Sequence, residues 1–163
     1  PKESGWFPSQ EEVISFMKEH NVVKGKTAIL SPYANTIIDL PQTIWEELAQ
    51  MLKQKGYTVF TNSAGPNEPA VKGTKELFIP FSLVKPVMKE AGLFIGLRSG
   101  LCDIIADCGC KKIIFYPAGC IFGNCSTLQY FGLNRMGLCD DAVELEYVAG
   151  KEYEVLEKAG KEV

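Results

Sequence analysis

Short apolar runs alternate with amphipathic stretches along most of the chain. The runs are residues 27–30, 57–60, 77–79, 93–97 and 113–116. Each is short enough for one buried strand of a parallel sheet. The segments between them repeat apolar residues at helical spacing, as in residues 44–52. This alternation predicts an α/β domain, a Rossmann-like three-layer sandwich with a parallel sheet of about five strands.

Helix-breaking residues indicate where the predicted helices begin and end. Pro41 suits the first turn of the second helix, and Gly56 suits its C-terminal cap. Pro86 falls in the first turns of the helix predicted for residues 80–91. Because proline disrupts a helix interior, we expect that helix to start late or to be kinked.

The chain of 163 residues is long enough for one domain with a sizeable core. We divide it into a lead-in and helix (1–25), a core (26–117) and a C-terminal extension (118–163). The extension should hold an extended piece at residues 144–147 and a polar helix at 150–158. The chain starts at Pro1 rather than at a methionine, and we expect it to be a fragment of a longer protein.

Charge and hydropathy argue against a nucleic-acid partner and against a transmembrane segment. The net charge is −3, so no general basic surface is expected for nucleic acid. No apolar run approaches the ~20 residues that span a bilayer, and we expect no transmembrane segment.

Six cysteines occur between residues 102 and 139. In a chain of this size they indicate free thiols in a reducing, cytoplasmic compartment. Cys108 and Cys110 are separated by one residue, which would strain a disulfide, and they lack the further ligands of a zinc site. We therefore expect neither a bridge nor a metal there. Cys102 lies near a predicted helix start, where a thiolate is stabilised, so a thiol enzyme is one open hypothesis.

Residues 91–106 contain the most informative stretch, a buried strand followed by the small-residue turn Arg98-Ser99-Gly100 and a helix start. A helix start offers unpaired N–H groups, and Gly100 lets a ligand approach the backbone closely. Ser99 and Arg98 add a hydroxyl and a cation, which suits a phosphate or diphosphate. The alternative is a plain strand-to-helix turn with Arg98 in an ion pair with a neighbour such as Asp103.

Ligands of open parallel sheets bind beyond the carboxyl ends of the strands. Three predicted loops leave such ends, at residues 31–39, 62–75 and 97–103. The loops after Ile79 and Tyr116 join them. We expect the binding site among these loops.

The order of these pieces resembles the C-terminal, donor-binding half of a GT-B glycosyltransferase across residues 26–117. The matching pieces are Leu40-Pro41 with Trp45, an acidic loop residue at Glu68, Pro80 before a helix, and Ala91 to Gly96 before the turn. The heptosyltransferase type has Asp-Ser-Gly in the turn. The lipid-linked N-acetylglucosaminyltransferase of peptidoglycan synthesis has Arg-Ser-Gly, as at Arg98-Ser99-Gly100 here.

The resemblance implies a nucleotide-sugar donor site and no other cofactor or metal. The residues implied to bind the diphosphate are Ser99, Gly100 and Leu101, with Arg98 beside them. Those implied to bind the phosphates or the sugar are Ser31, Asn35 and Thr36. Those implied to border the nucleobase are Ile79 and Phe81. Asp103 stands where the heptosyltransferase type has histidine, and Ala106 stands where the peptidoglycan enzyme has the glutamate that binds ribose. Asp103 could replace that glutamate only if the geometry shifts. Glu68 faces either the ligand or water.

The family has two Rossmann-like domains, and the acceptor and the usual catalytic base belong to the other one. The resemblance thus implies a bacterial-type transferase of surface polysaccharide or lipopolysaccharide synthesis, whose parent chain includes an N-terminal acceptor domain and could associate with the membrane periphery. The chain alone would then be inactive. The alternative is a non-catalytic nucleotide-binding α/β domain.

Overall fold

A six-stranded sheet forms the centre of the molecule, for which we obtained a computed structural model describing residues 7–35, 37–122 and 125–163. The sheet strands are β1 (Thr27–Ser31), β2 (Thr58–Asn62), β3 (Lys75–Leu77), β4 (Gly92–Leu97), β5 (Lys111–Pro117) and β8 (Val143–Tyr147). Two short strands, β6 (Cys120–Phe122) and β7 (Cys125–Ser126), form a separate antiparallel pair. Every neighbouring pair in the main sheet is parallel. The predicted parallel α/β sheet is confirmed.

Two strand predictions need correction. The sheet has six strands rather than about five, because the extended piece near the C-terminus pairs with β5 as an edge strand. Its sequence alternates apolar residues with Glu144 and Glu146, which weakens the apolar signal. The third strand lies at Lys75–Leu77 rather than at 77–79, because an edge strand tolerates exposed polar residues.

The strand order is β3-β2-β1-β4-β5-β8, so the first and fourth strands lie side by side. From β1 the chain adds β2 and β3 on one side of the sheet, and from β4 it adds β5 and β8 on the other side. This reversal leaves a crevice at the carboxyl ends of those two strands, which is where open α/β sheets bind ligands. The register pairs Ser31, the last residue of β1, with Gly96.

Helices cover both faces of the sheet. They are α1 (Gln10–His20), α2 (Gln42–Gln54), α3 (Val84–Ala91), α4 (Gly100–Ile105), α5 (Thr127–Phe131) and α6 (Glu152–Glu162), with a 3-10 turn at Phe81–Leu83. Helix α3 starts late, as Pro86 predicted, and the proline occupies its first turn. Gly56 ends α2 with a positive φ of 90°, which glycine adopts without strain.

Alternation along the central strands divides the core into two clusters. On β1, Ile29 packs with residues of α1, α3 and α4, whereas Ala28 and Leu30 pack with residues of α2 and α6. All three side chains are fully buried. Burial on both faces fixes the register of β1 and so fixes where the loop after it begins.

Gly96 leaves no room for a side chain next to the crevice. An added Cβ would lie 2.6 Å from Cζ of the buried Phe94 ring and 3.3 Å from Cβ of Ser31. We expect Gly96→Ala to lower the free energy of unfolding by about 1–3 kcal/mol, the usual cost of overpacking. Urea denaturation measures this. Gly109→Ala is the control, since its Cβ would meet only the Lys89 side chain at 3.9 Å; equal midpoints for the two variants would contradict the prediction.

Candidate functional site

The loop after β1 and the turn after β4 lie at the crevice between these strands. Ser31 ends β1 and is buried, and Asn35 in the following loop is exposed. Thr36, which we predicted to face the donor, lies outside the described residues. The sheet therefore places Ser31 and the 98–101 turn beside each other at the carboxyl ends of β1 and β4, as their positions in the sequence predicted.

The backbone of the turn is open to a ligand. Ser99 is extended, with φ −154° and ψ 174°, and its side chain does not cap α4. Gly100 is exposed, and a Cβ added there would meet nothing within 4 Å. The side chain of Leu101 packs against the core, so only its backbone can serve a ligand. Helix α4 has only six residues, so its dipole adds little and the Ser99 hydroxyl and the open backbone are the usable groups.

Arg98 turns away from the crevice. Its guanidinium is almost fully buried, and Nε donates to the Phe131 carbonyl at 2.7 Å. Nη1 donates to the Ser99 carbonyl, and Nη2 pairs with Asp103 Oδ1, each at 2.7 Å. Of the two alternatives for Arg98, the ion pair with Asp103 is the one the structure shows. The guanidinium holds the turn in place instead of presenting a cation at the edge.

A hydrogen-bond network centred on Glu144 fixes the residues that follow α5. The Glu144 carboxylate accepts hydrogen bonds from the Tyr116 hydroxyl, from the Leu133 N–H at 2.8 Å and from the Asn134 N–H at 3.1 Å. Burial, with the bond to Glu144, raises the pKa of Tyr116 well above its usual value. The tyrosine therefore stays protonated as a donor. The sequence contains no local signal for this network, because its partners are 10 to 28 residues apart.

The loop after β2 uses its acidic residue internally. Glu68 Oε2 accepts from the Ala64 N–H at 2.8 Å, and the Ser63 hydroxyl donates to the Glu68 carbonyl at 2.6 Å. The Tyr33 hydroxyl donates to the Pro69 carbonyl at 2.6 Å and so ties the first loop to the second. The Glu68 carboxylate therefore caps a backbone N–H of its own loop and stabilises the loop.

Phe81 borders a groove of about 1090 Å³ near the turn. Its ring is 76% exposed, whereas the Ile79 side chain is only 5% exposed. Asp103, Ile104 and Leu138 line the same groove. The structure therefore brings Phe81 and Asp103 together, and it leaves Ile79 only its backbone for a ligand.

Cys102 does not have the environment of a reactive thiol. It is fully buried, and burial raises the pKa of its thiol, outweighing the hydrogen bonds from Ser99. The expectation of a stabilised thiolate at this helix start is wrong. The thiol-enzyme hypothesis loses the residue on which it rested.

Two kinds of feature are missing from residues 7–35, 37–122 and 125–163. No three His, Cys, Asp or Glu residues of these ranges are grouped so that they could hold a metal ion. None of the helices formed within them has the length and apolar character needed to cross a bilayer.

Comparison with known proteins supports the fold. No protein-family model and no curated protein matches the sequence. Two solved structures do match. The Escherichia coli ADP-heptose lps heptosyltransferase II has a TM-score of 0.65 at 15% identity, over 94% of this chain and 51% of that one. A glycosyl transferase family 9 protein from Veillonella parvula DSM 2008 has a TM-score of 0.58 at 14% identity, over 98% of this chain and 44% of that one.

The chain thus spans about half the length of each matched protein. At 14–15% identity the likeness concerns the fold alone. At that level the predicted resemblance is confirmed: the chain has the fold found in about half of each of these two glycosyltransferases.

Proposed function

We propose that this chain is the donor-binding domain of a glycosyltransferase and that it binds the diphosphate of a nucleotide-sugar at residues 98–101. The observation that carries the proposal is the position of the open Ser99-Gly100 turn at the strand-order reversal, beside the loop that starts at Ser31. The fold shared with halves of two glycosyltransferases supports it.

Each part of the turn has a task in this proposal. The Ser99 hydroxyl and the backbone N–H groups at the start of α4 donate to diphosphate oxygens, which are strong acceptors. Gly100 allows the phosphate to approach the backbone. Arg98 contributes indirectly, since its contacts with Asp103 and the Phe131 carbonyl hold the turn. Asn35, in the loop after β1, faces the phosphates or the sugar.

The nucleobase lies toward Phe81 in this arrangement. The exposed ring offers a stacking surface at the rim of the groove, and Ile79 contributes backbone groups. Asp103 points its partly exposed carboxylate into the same region, although its pairing with Arg98 limits its freedom.

The acceptor and the catalytic base belong to residues outside this chain in our proposal. Both matched transferases are about twice as long as the chain. We therefore assign to this chain donor binding, and to a companion region of a longer parent the transfer itself. Surface polysaccharide or lipopolysaccharide synthesis in the cytoplasm is the setting that we propose for the parent.

Removal of the Ser99 hydroxyl should weaken nucleotide binding by roughly ten- to a hundredfold. A hydrogen bond to a charged group contributes about 1.5–3 kcal/mol, and each 1.4 kcal/mol changes affinity tenfold. Calorimetric titration of the chain and its Ser99→Ala variant with UDP, GDP and ADP measures the change.

Ser15→Ala is the matched control, because Ser15 is exposed on α1. It should bind as tightly as the unmodified chain. Equal affinity of Ser99→Ala and the control would remove the hydroxyl from the site. A donor domain should also bind the sugar conjugate of its preferred nucleotide at least as tightly as the diphosphate, whereas a plain nucleotide-binding domain should not.

A further inference from the structure

The carboxylate of Glu144 anchors one segment of the chain, residues 131–136, to the sheet. Glu144 lies on the edge strand β8, and its Oε2 accepts from the Leu133 N–H at 2.8 Å. Its Oε1 accepts from the Asn134 N–H at 3.1 Å, and the Tyr116 hydroxyl of β5 donates to Oε2. Hydrogen bonds to an ionised acceptor are among the strong ones. The position of the segment therefore depends on this side chain.

The segment is packed closely around the carboxylate. A Cβ added to Gly132 would lie 3.3 Å from Glu144 Oε2 and 2.7 Å from the Leu128 carbonyl oxygen, so the backbone itself fills the space there. The Leu133 side chain is fully buried in the core. The Met136 N–H donates to the Gly132 carbonyl at 2.9 Å. Because the segment is bonded internally, we expect it to shift as one piece when its anchor is removed.

The same segment supplies contacts to Arg98. The guanidinium Nε donates to the Phe131 carbonyl at 2.7 Å, and Nη2 lies 3.8 Å from the Met136 sulfur. Nη1 of the same guanidinium donates to the Ser99 carbonyl at 2.7 Å. Arg98 thus bridges the anchored segment and the turn at which we place the donor diphosphate.

We propose that Glu144 is a positioning residue for the donor site, acting through residues 131–136 and Arg98 on the Ser99-Gly100 turn. This inference rests on the proposed function, because it gives that site a support outside its own loops. Strand β5 lies between β8, which carries Glu144, and β4, which leads into the turn. The carboxylate therefore acts on the turn through other residues and has no contact with the nucleotide.

A carboxylate is the side chain that these donors require. Glutamine has nearly the same shape, but its amide group replaces one acceptor oxygen by a donor. Glu144→Gln therefore turns a donor toward the Leu133 or the Asn134 N–H and breaks at least one anchoring bond. The volume of the side chain stays the same, so the change tests the hydrogen bonds rather than the packing.

Calorimetric titration with UDP, GDP and ADP tests the proposal on the folded chain. We expect Glu144→Gln to weaken binding of the preferred nucleotide by about five- to thirtyfold, within the range produced by residues that do not touch a ligand. Lys112→Met is the matched control, because it removes a buried donor to the Cys108 and Cys110 carbonyls at the amino ends of the strands. The control should lower stability and leave the affinity unchanged. Equal affinity of the two variants would overturn the proposal.

A double-mutant cycle with Ser99→Ala identifies the route of the effect. If Glu144 places the Ser99 hydroxyl, the loss of affinity in the double variant should be clearly smaller than the product of the two single losses. Losses that multiply would show that Glu144 does not act through the turn, and they would overturn the proposal.

Amide hydrogen exchange in the ligand-free chain gives a readout that does not depend on nucleotide binding. The Arg98 N–H donates to the Phe115 carbonyl at 3.1 Å and the Cys102 N–H to the Ser99 carbonyl at 3.0 Å, so both amides report on the turn. Glu144→Gln should speed their exchange relative to the core amides of the same variant, and the control should not. Faster exchange without any nucleotide binding by the unmodified chain would overturn the proposed function and support the positioning role. Unchanged exchange would overturn the positioning role itself.

Discussion

Gly100→Val should abolish measurable binding of the nucleoside diphosphate that the chain prefers. The side chain would occupy the space where the phosphate approaches the backbone, and loss of two hydrogen bonds to a charged group at about 1.5–3 kcal/mol each lowers affinity by more than about a hundredfold. Calorimetric titration with UDP, GDP and ADP measures it.

The variant should remain folded, which makes the result interpretable. Nothing lies within 4 Å of a Cβ built on Gly100, and its φ is not positive. Gly109→Val is the matched control, because Gly109 also has a non-positive φ. It lies just before β5, at the amino ends of the strands and so away from the proposed site. A Gly100→Val chain that melts normally and still binds with unchanged affinity would contradict the site assignment.

Arg98→Met should have the largest effect on stability. It leaves the Phe131 and Ser99 carbonyls without their 2.7 Å donors in a partly buried region. Lost bonds of this kind cost about 1–3 kcal/mol each, although the Asp103 carboxylate left behind is 45% exposed and can be hydrated. We expect a loss of about 3 kcal/mol, or a Tm lower by about 6–12 °C for a domain of this size.

Lys85→Met is the control for that measurement. Its ion pair with Asp107 is exposed on both sides, with side-chain exposures of 52% and 68%. Such pairs contribute about 0–1 kcal/mol. Calorimetric melting of the two variants should therefore separate them clearly. If Arg98→Met melts within 2 °C of the control, by the same scaling, the guanidinium does not hold the turn.

The centre of the fold was predictable because its residues carry strong, local signals. The segments that became β1, β4 and β5 are buried on both faces, and each contains a short run of mainly apolar residues. Helix α2 has a full apolar stripe between a proline and a glycine. The edge strands β3 and β8 were harder to predict, because they carry exposed charged residues. These segments are strands only because each pairs with a neighbouring strand of the sheet.

The candidate site was predictable only in outline. The order of strands and loops places Ser31 and Ser99 at one edge, and this followed from the β-α alternation. The course of the Arg98 side chain did not follow, because its acceptor on Phe131 is 33 residues away in sequence. Lys112 shows the same limit, because a charged residue before an apolar run suggests an exposed strand end. In the structure Lys112 is buried, and its ammonium group donates to the Cys108 and Cys110 carbonyls and to the Asp141 carboxylate.

The position of a bound nucleoside diphosphate tests the central claim most directly. A crystal structure of the chain with whichever of UDP, GDP or ADP binds most tightly would give it. We predict diphosphate oxygens within about 2.7–3.2 Å of Ser99 Oγ and of a backbone N–H of Gly100 or Leu101, with the loop after Ser31 on the other side of the ligand. A diphosphate bound at any other part of the sheet edge, with this turn empty, would contradict the account.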